Sequence, residues 1–407
     1  MTLKILYIDG DGPMGGASRS LFEAVSRLVG LGVSPYFLVS SGTASDFYRK
    51  VSNELVETRG MSKFDNTRYG YYRGVRWLIV LREIFHAPFM ISALLRAKRK
   101  WGTVDVVHVN EFVYILPALL AKWLFRAPLV VHVRALARDQ QDSRRVRMLN
   151  WVFNRYVDKV VAIDGNVRNT LAPDLPIEII NNSFNTVSSG EPAPEFVERL
   201  AALDKQSLKV GFVGNLHLSK GVLEIVEAAA LMRKTGRKID FVLVGGITIE
   251  DKGFKAWLLS KLGFAQNFGS EIKRLIHEGQ LEDTLHLMGP TLDIKYVYDR
   301  LDVLLFPSHF DAPGRPVFEA GFSSVPSIVA AENPTPDTFV PNETGLAIPA
   351  RNSRALADAI AYMYDYPQER ERMGRNAHEL AQQNFMPDTN AKKLLSVYKS
   401  VLVKHHD

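Results

Sequence analysis

Residues 301–320 read LDVLLFPSHFDAPGRPVFEA, and this stretch decides the architecture. LDVLLFPS is an uninterrupted apolar run of strand length, as expected for a strand buried on both faces. HFDAPG is turn chemistry, and Pro316 is well placed in the first turn of a helix. A buried strand passing through a short turn into a helix is the repeating element of a parallel α/β sheet. Asp311 then lies on the loop at the carboxyl edge of the sheet, and Glu319 projects from the new helix. The amides from Gly314 onward form a helix N-terminus suited to an anion. Two carboxylates flanking such an N-terminus can grip hydroxyl groups on either side of a diphosphate, ribose at one end and hexose at the other. Taken singly, Asp311 as a turn acceptor and Glu319 as a complement to the helix dipole are the plainer readings. The strand-turn-helix setting is what gives the pair its weight.

The same alternation extends in both directions. Upstream, LKILYID, SPYFLVS, VDVVHVN, PLVVHV, DKVVAI and IEIIN read as strands separated by helical patterns such as Ala17 to Leu28 and Tyr114 to Phe125. The polar segment VSSGEPAPEFVERLAALDKQS, with two prolines, reads as a hinge over 188–207. A second alternating set follows: LKVGFVG, KIDFVLVGG, TLHLMG, LDVLLFPS and PSIVA. The expectation is a first α/β domain over 1–187 and a second over 208–387, facing each other across a cleft. An amphipathic helix over 388–407 is expected to cross back to the first domain.

Composition narrows the function. At 407 residues and 46% apolar content the chain exceeds a single core. It has no cysteine, which removes thiolate nucleophiles, Cys-held metals and disulfide scaffolds from consideration. The N-terminus reads as a first strand and not as a signal peptide. No run of about eighteen apolar residues is seen, so no bilayer span is expected. Residues 1–185 carry 25 Lys/Arg against 16 Asp/Glu, whereas the remainder carries 25 against 28. The basic first half suggests an anionic partner. Within it, Arg68 to Trp101 interleaves seven aromatic residues with eight basic ones and the single acid Glu83, a make-up suited to a membrane interface as well as to an ordinary core helix with a solvated face. The run Arg134 to Arg147 adds five arginines close to a strand end, where ligands bind in such sheets.

Two glycine-rich loops follow first strands. Gly10-Asp-Gly12-Pro-Met-Gly15-Gly16 has the dinucleotide spacing, but the second strand ends in Leu38-Val39-Ser40-Ser41, with no carboxylate for a ribose. The more economical reading is that Gly15 and Gly16 admit close approach of a phosphate or sugar. In the second set, Val213-Gly214-Asn215-Leu-His217-Leu-Ser219-Lys220-Gly221 again joins a strand to a helix. There Ser219 would cap the helix and Lys220 would offer a point charge to a diphosphate. No P-loop pattern and no HExxH or similar cluster appears, so neither nucleotide hydrolysis nor a protein-held metal is expected.

These features together resemble family 4 of the glycosyltransferases, the retaining group with two Rossmann-like domains known as the GT-B fold. The resemblance rests on Pro307-Ser308, on Asp311 separated by seven residues from Glu319-Ala320, on Gly15-Gly16, on the loop ending in Lys220-Gly221, on the strand ending at Gly289, and on Glu343-Thr344-Gly345-Leu346. It implies that Glu319 binds the donor ribose, that Lys220 and Gly16 meet the diphosphate, and that Asp311 and the amides near Gly314 hold the sugar. Gly15 and Asn215 would complete the donor site. The first acid of the family pair is usually Glu, and Asp311 is one methylene shorter. Asn215 stands where the family often has Arg, and Arg315 is a candidate substitute. A first-domain histidine near the reacting carbon would be His132, with Arg134 the alternative.

The reaction so implied is metal-free and cofactor-free transfer of a sugar, with retention, from a nucleoside diphosphate sugar. Lys220, Asp311 and His132 are the catalytic candidates. The basic, aromatic first half suggests a saccharide acceptor linked to lipid at the cytoplasmic face of an anionic membrane, in cell-surface polysaccharide assembly, and no nucleic acid. A sugar-nucleotide epimerase and a catalytically silent nucleotide-sugar-binding subunit are the competing readings.

Overall fold

The computed structural model describes residues 2–184, 192–246, 268–291 and 293–406, and divides into two compact units. One comprises Met1–Asn185 with Phe385–Asp407, the other Thr186–Asn384.

The first unit is a parallel sheet of seven strands: β1 (Leu3–Asp9), β2 (Val33–Ser40), β3 (Glu54–Thr58), β4 (Val106–Val109), β5 (Leu129–Val133), β6 (Lys159–Ala162) and β7 (Ile177–Ile179). They lie in the order β3-β2-β1-β4-β5-β6-β7. Alternate residues point to opposite faces, so one sheet feeds two cores. Leu6, Ile8, Val107, Val109, Val131 and Val133 pack under the helices Ile79–Trp101, Ile115–Phe125 and Arg144–Tyr156. Ile5, Tyr7, Val106, Val130 and Val161 pack against the other face with Leu21, Val25, Leu394 and Tyr398. The last two belong to the helix Pro387–His406, which therefore completes the first unit although it closes the sequence.

The second unit has six parallel strands, β8 (Leu208–Val213), β9 (Ile239–Val244), β10 (Leu285–Gly289), β11 (Val303–Phe306), β12 (Ser327–Ala330) and β13 (Gly345–Ile348), in the order β10-β9-β8-β11-β12-β13. Each sheet has its first strand in third place from one edge, and strand order reverses beside it, between β1 and β4 and between β8 and β11. Loops leaving these adjacent strands at their carboxyl ends part to opposite faces, which is where such sheets bind ligands.

Three expectations change. The 188–207 segment carries the helix Pro194–Ala201, whose Phe196 and Leu200 enter the core of the second unit, so that core recruits residues well before 208. The strands β3 and β13 are additional; both are edge strands, β3 interrupted by Glu and Thr and β13 only four residues long. Finally, Gly74–Trp101 is long and apolar enough to cross a bilayer by length and composition, with a mean hydropathy of 1.7 over its most apolar window. Charged residues Arg82 and Glu83 interrupt the run in sequence without lowering that mean below a spanning value. The helix nonetheless packs on the sheet through Met90, Ala93, Leu94, Ala97 and Trp101.

Candidate active site

In the second unit the reversal point is built by the loops after β8 and β11. β8 and β11 pair in parallel, bringing the two loops side by side. Gly221 sits at φ +76°, and a Cβ there would lie 2.0 Å from the Pro307 carbonyl oxygen, so only glycine lets the loops touch. His309 N donates to Ser219 O at 3.0 Å, and the His309 imidazole meets Glu224 Oε1 at 2.8 Å. The Lys220-bearing turn is thus bonded to the Asp311-bearing loop from two sides.

Lys220 belongs to the 3-10 turn Leu218–Lys220, ahead of the helix Val222–Arg233. The cap expected from Ser219 is supplied differently: His217 Nδ1 accepts from Ser219 N at 3.1 Å, and Gly221 stands at the helix N-cap without a side-chain bond. The Lys220 ammonium is half-buried, 5.8 Å from the ring centre of Phe306 and 5.4 Å from that of Phe310. No carboxylate pairs with it among the described residues. Burial lowers its pKa from the ordinary lysine value. A partly desolvated, unpaired cation is costly unless an anion arrives to meet it. Asn215, on the same loop, is exposed.

Glu319 is 4% exposed, on the helix Arg315–Gly321. Its Oε1 accepts from Arg315 Nε at 2.5 Å and its Oε2 from Tyr298 OH at 2.9 Å. Arg315 is therefore bound to Glu319 one helical turn away, where i and i+4 side chains meet. Two of the four lone-pair positions of the carboxylate are thereby used, leaving capacity for two further donors. Asp311 is half-buried and its Oδ1 accepts from Glu332 N at 2.7 Å, which ties the loop to the end of β12. The helix N-terminus is weaker than expected. Its helix has seven residues, Pro316 offers no N–H, and Val317 N already donates to Gly314 O at 3.0 Å.

In the first unit, Gly10 and Gly12 answer to the fold: a Cβ at Gly10 would sit 2.0 Å from the Tyr114 ring and one at Gly12 2.8 Å from Ser41 O. Gly15 and Gly16 do not. A Cβ at either would meet nothing within 4 Å, and Gly15 has φ −116°, open to any residue. Open space at the start of the helix Gly16–Gly30 is compatible with close approach of a ligand.

His132 lies inside β5, 3% exposed, on the same face as His108, their rings 5.4 Å apart. Burial first, then the positive charge of Arg134, holds its pKa well below the usual imidazole range. The same causes hold His108 down to about 3. His132 Nε2 is buried and finds no hydrogen-bond partner among the described residues. Arg134 stands two residues on, past the strand end, and is half-buried at the carboxyl edge of the sheet. Its Nε donates to Asn110 Oδ1 and its Nη1 to Asn182 Oδ1, each at 2.6 Å, and its Nη2 lies 3.3 Å from His132 Nδ1. Of the two candidates, Arg134 occupies the edge and His132 the layer beneath it.

Three acids at this edge have no counterpart in the sequence reading. Asp9 is buried and takes hydrogen bonds from Ser18 Oγ (2.8 Å), Asn110 Nδ2 (3.2 Å) and the Tyr48 hydroxyl. Asp11 Oδ1 takes Lys63 Nζ at 2.8 Å and Tyr114 OH at 2.7 Å. Glu111 is pushed up to about 8 by burial, against the bonds it accepts from Phe112 N and Arg134 N. Their signal was position: each lies at or just beyond the end of β1 or β4, the strands flanking the reversal.

Residues 14–187 match the model of Glycosyltransferase Family 4, and residues 197–380 that of Glycosyl transferases group 1. The chain belongs to glycosyltransferase family 4. It is 23% identical to a D-inositol 3-phosphate glycosyltransferase of Corynebacterium glutamicum over 392 residues, 91% of this chain and 90% of that one. It is 24% identical over 301 residues to the lipopolysaccharide core biosynthesis mannosyltransferase LpsB of Rhizobium meliloti, 73% of this chain and 80% of that one. Among solved structures, Anabaena HepE in complex with UDP superposes with a TM-score of 0.74 at 18% identity, covering 98% of this chain and all of that one. HepE has also been solved with UDP-glucose, at a TM-score of 0.73. The family 4 enzyme described here is thus a glycosyltransferase of GT-B fold.

Proposed function

We propose that this glycosyltransferase takes its sugar from a nucleoside diphosphate sugar, with retention and without a metal, and delivers it to a lipid-linked saccharide in cell-surface polysaccharide assembly. The observation that carries the donor half is Lys220: a half-buried ammonium facing two aromatic rings, unpaired among the described residues, at the reversal point of the second sheet. A diphosphate supplies the charge it lacks, and the remaining lone pairs of Glu319 suit the ribose hydroxyls. Asp311 and Gly314, from the same loop, would hold the sugar, with Asn215 beside the phosphates. In the first unit, Gly15 and Gly16 leave open space at the start of the helix Gly16–Gly30, room for a phosphate or sugar to approach the backbone closely. HepE, similar in fold, is known with UDP and UDP-glucose.

Chemistry follows from positioning and charge. Lys220 stabilises the negative charge that grows on the leaving diphosphate, a contribution absent from the ground state to the same degree and therefore catalytic. No described side chain is placed as a covalent nucleophile in this reading, so the leaving phosphate itself accepts the acceptor proton on the same face. Arg134, fixed by Asn110 and Asn182 at the carboxyl edge of the first sheet, is the first unit's candidate for a part in the reaction, with His132 beneath it in the same sheet. The lipid-linked acceptor draws on LpsB, named for lipopolysaccharide core biosynthesis, and on the exposed apolar helix Gly74–Trp101 among basic residues. The enzyme would then work at the cytoplasmic face of the membrane.

The test is a panel of nucleotide-sugars incubated with lipid-linked saccharides, the product linkage read by NMR. The expected product keeps the anomeric configuration of the donor and forms in the presence of a chelator. An inverted linkage, or turnover that needs an added divalent ion, would overturn the mechanism.

A further inference from the structure

The arginines between residues 134 and 147 are not all used by the donor or by Arg134's network. Arg138 and Arg145 turn instead toward Tyr71, joined there by Arg73. Their guanidinium carbons stand 4.2, 5.3 and 5.1 Å from the centre of that one ring. Two loops at the carboxyl edge of the first sheet bring them together. Arg68 N donates to Leu136 O at 2.7 Å and Arg138 N to Asn66 O at 2.9 Å, around the Thr67–Ala137 bridge.

Three like charges converging without a counter-charge is an unfavourable arrangement on its own. Arg138 has only the neutral Gln140 Oε1 as acceptor, Arg145 the Tyr72 carbonyl, and Arg73 the Tyr71 hydroxyl. None of the three pairs with a carboxylate among the described residues. Asp65 is engaged by Arg76 at 3.2 Å, and the neighbouring Asp139 and Asp142 form no ion pair with the cluster. Furthermore, Arg138 Nη1 is buried from solvent and donates to nothing among the described residues, an unspent donor inside the cluster. Tyr71 senses the field: its pKa is lowered by the Arg73 hydrogen bond and by the charges of Arg138 and Arg145.

The cluster runs directly into apolar surface. Arg145 also stands 5.4 Å from the Trp77 ring, and Trp77 stacks on Tyr72 at 5.5 Å. From Trp77 the chain continues as Leu78, Leu81, Ile84 and Phe85, each more than half exposed. A cationic socket abutting a row of exposed apolar side chains is complementary to an amphiphile with an anionic head and a hydrocarbon tail.

We propose that Arg73, Arg138 and Arg145 form a binding site for the phosphate of a membrane lipid, with Trp77, Leu78 and Leu81 entering the acyl layer beside it. Planar guanidinium forks match phosphate oxygens in pairs, and Arg138 Nη1 gains the acceptor it lacks. The inference deepens the lipid-linked acceptor reading and rests on it for its biological sense, but its test is independent of transfer.

The full-length enzyme is titrated with vesicles of phosphatidylcholine alone and of phosphatidylcholine with phosphatidylglycerol, binding being followed by co-sedimentation. The expected result is preferential, salt-sensitive binding to the phosphatidylglycerol vesicles. Arg138→Gln/Arg145→Gln should weaken it roughly thirtyfold, which is about 1 kcal/mol of interfacial charge energy for each of the two arginines. Arg138→Lys/Arg145→Lys keeps the charge and should lose far less, which separates loss of the site from loss of folding. Trp77→Ser/Leu81→Ser should weaken binding to vesicles of either composition. Equal affinity for both vesicles, or wild-type affinity in the Gln double variant, would overturn the proposal. If these vesicles bind as expected while no nucleotide-sugar is turned over, the donor reading fails and this one stands.

Discussion

Glu319→Gln isolates the donor contact better than truncation does. Removing the carboxylate altogether would take from Arg315, whose side chain is 14% exposed, the acid that Nε meets, and from Tyr298 the acceptor of its hydroxyl bond to Oε2. Breaking such a pair costs about 3–5 kcal/mol, enough to unfold much of a marginally stable unit and to abolish activity for the wrong reason. Gln retains an oxygen for Arg315 and a polar group toward Tyr298, so the damage to stability is smaller. What it loses is charge. A hydrogen bond to a charged group contributes about 1.5–3 kcal/mol and one between neutral groups about 0.5–1.5, so each ribose hydroxyl forfeits about 1 kcal/mol or slightly more. Two hydroxyls then amount to about 2–3 kcal/mol, which is roughly 30- to 150-fold in affinity. Calorimetric titration with UDP and with UDP-glucose, alongside a thermal melt, reads both quantities. Tyr298→Phe serves as the control: it removes one hydrogen bond to the charged Oε2, lowers stability by about 1.5–3 kcal/mol, and leaves nucleotide affinity close to wild type. A folded Glu319→Gln variant that binds nucleotide as tightly as the wild type would show that the carboxylate serves only Arg315 and Tyr298.

Lys220 gives a pH signature. Its pKa in the free enzyme lies below the ordinary 10.5, and a bound diphosphate favours the protonated form, so binding raises that pKa. Nucleotide affinity should therefore be level below the free-enzyme pKa and fall as pH rises through it, with proton uptake on binding in that window. Calorimetry in buffers of different ionisation enthalpy measures the uptake, and Lys220→Gln should abolish both the slope and the uptake. A second expectation concerns Gly221→Ala. The φ of +76° and the 2.0 Å approach to Pro307 O oblige the β11 loop to move, at a cost of about 1–3 kcal/mol for the backbone and more for the displaced carbonyl. A melt should show the loss, and nucleotide affinity should drop with it because Asp311 rides on the same loop.

Much of this was legible because parallel sheets write themselves plainly. Eleven of the strands are apolar runs bounded by turn residues, and the reversal points follow from having two first strands, each trailed by glycine. The edge strands escaped because burial on one side demands less apolar sequence, as ELVET over Glu54–Thr58 shows. The acids Asp9, Asp11 and Glu111 escaped for another reason. A lone carboxylate at a strand end has no pattern, and its meaning comes from Ser18, Tyr48, Lys63 and Arg134, which are distant in sequence. His132 and Arg134 could not be ranked from sequence because they share a face and differ only in where β5 stops; one pleat decides between a buried ring and an edge cation.

Arg315 teaches the opposite lesson, since its role was written in the spacing. It precedes Glu319 by four residues on one helix, the separation at which opposite charges meet, so its Nε is held by that acid. The consequence reaches the chemistry. With Asn215 neutral and Arg315 Nε held by Glu319, Lys220 is the residue proposed to carry most of the charge of the leaving diphosphate. A site with two cations can lose one and retain part of its electrostatic stabilisation, so the proposed reaction should depend steeply on the half-buried Lys220. The aromatic setting of Phe306 and Phe310 compensates in part: it excludes water, lowers the effective dielectric, and makes the one charge that remains act more strongly on the phosphate.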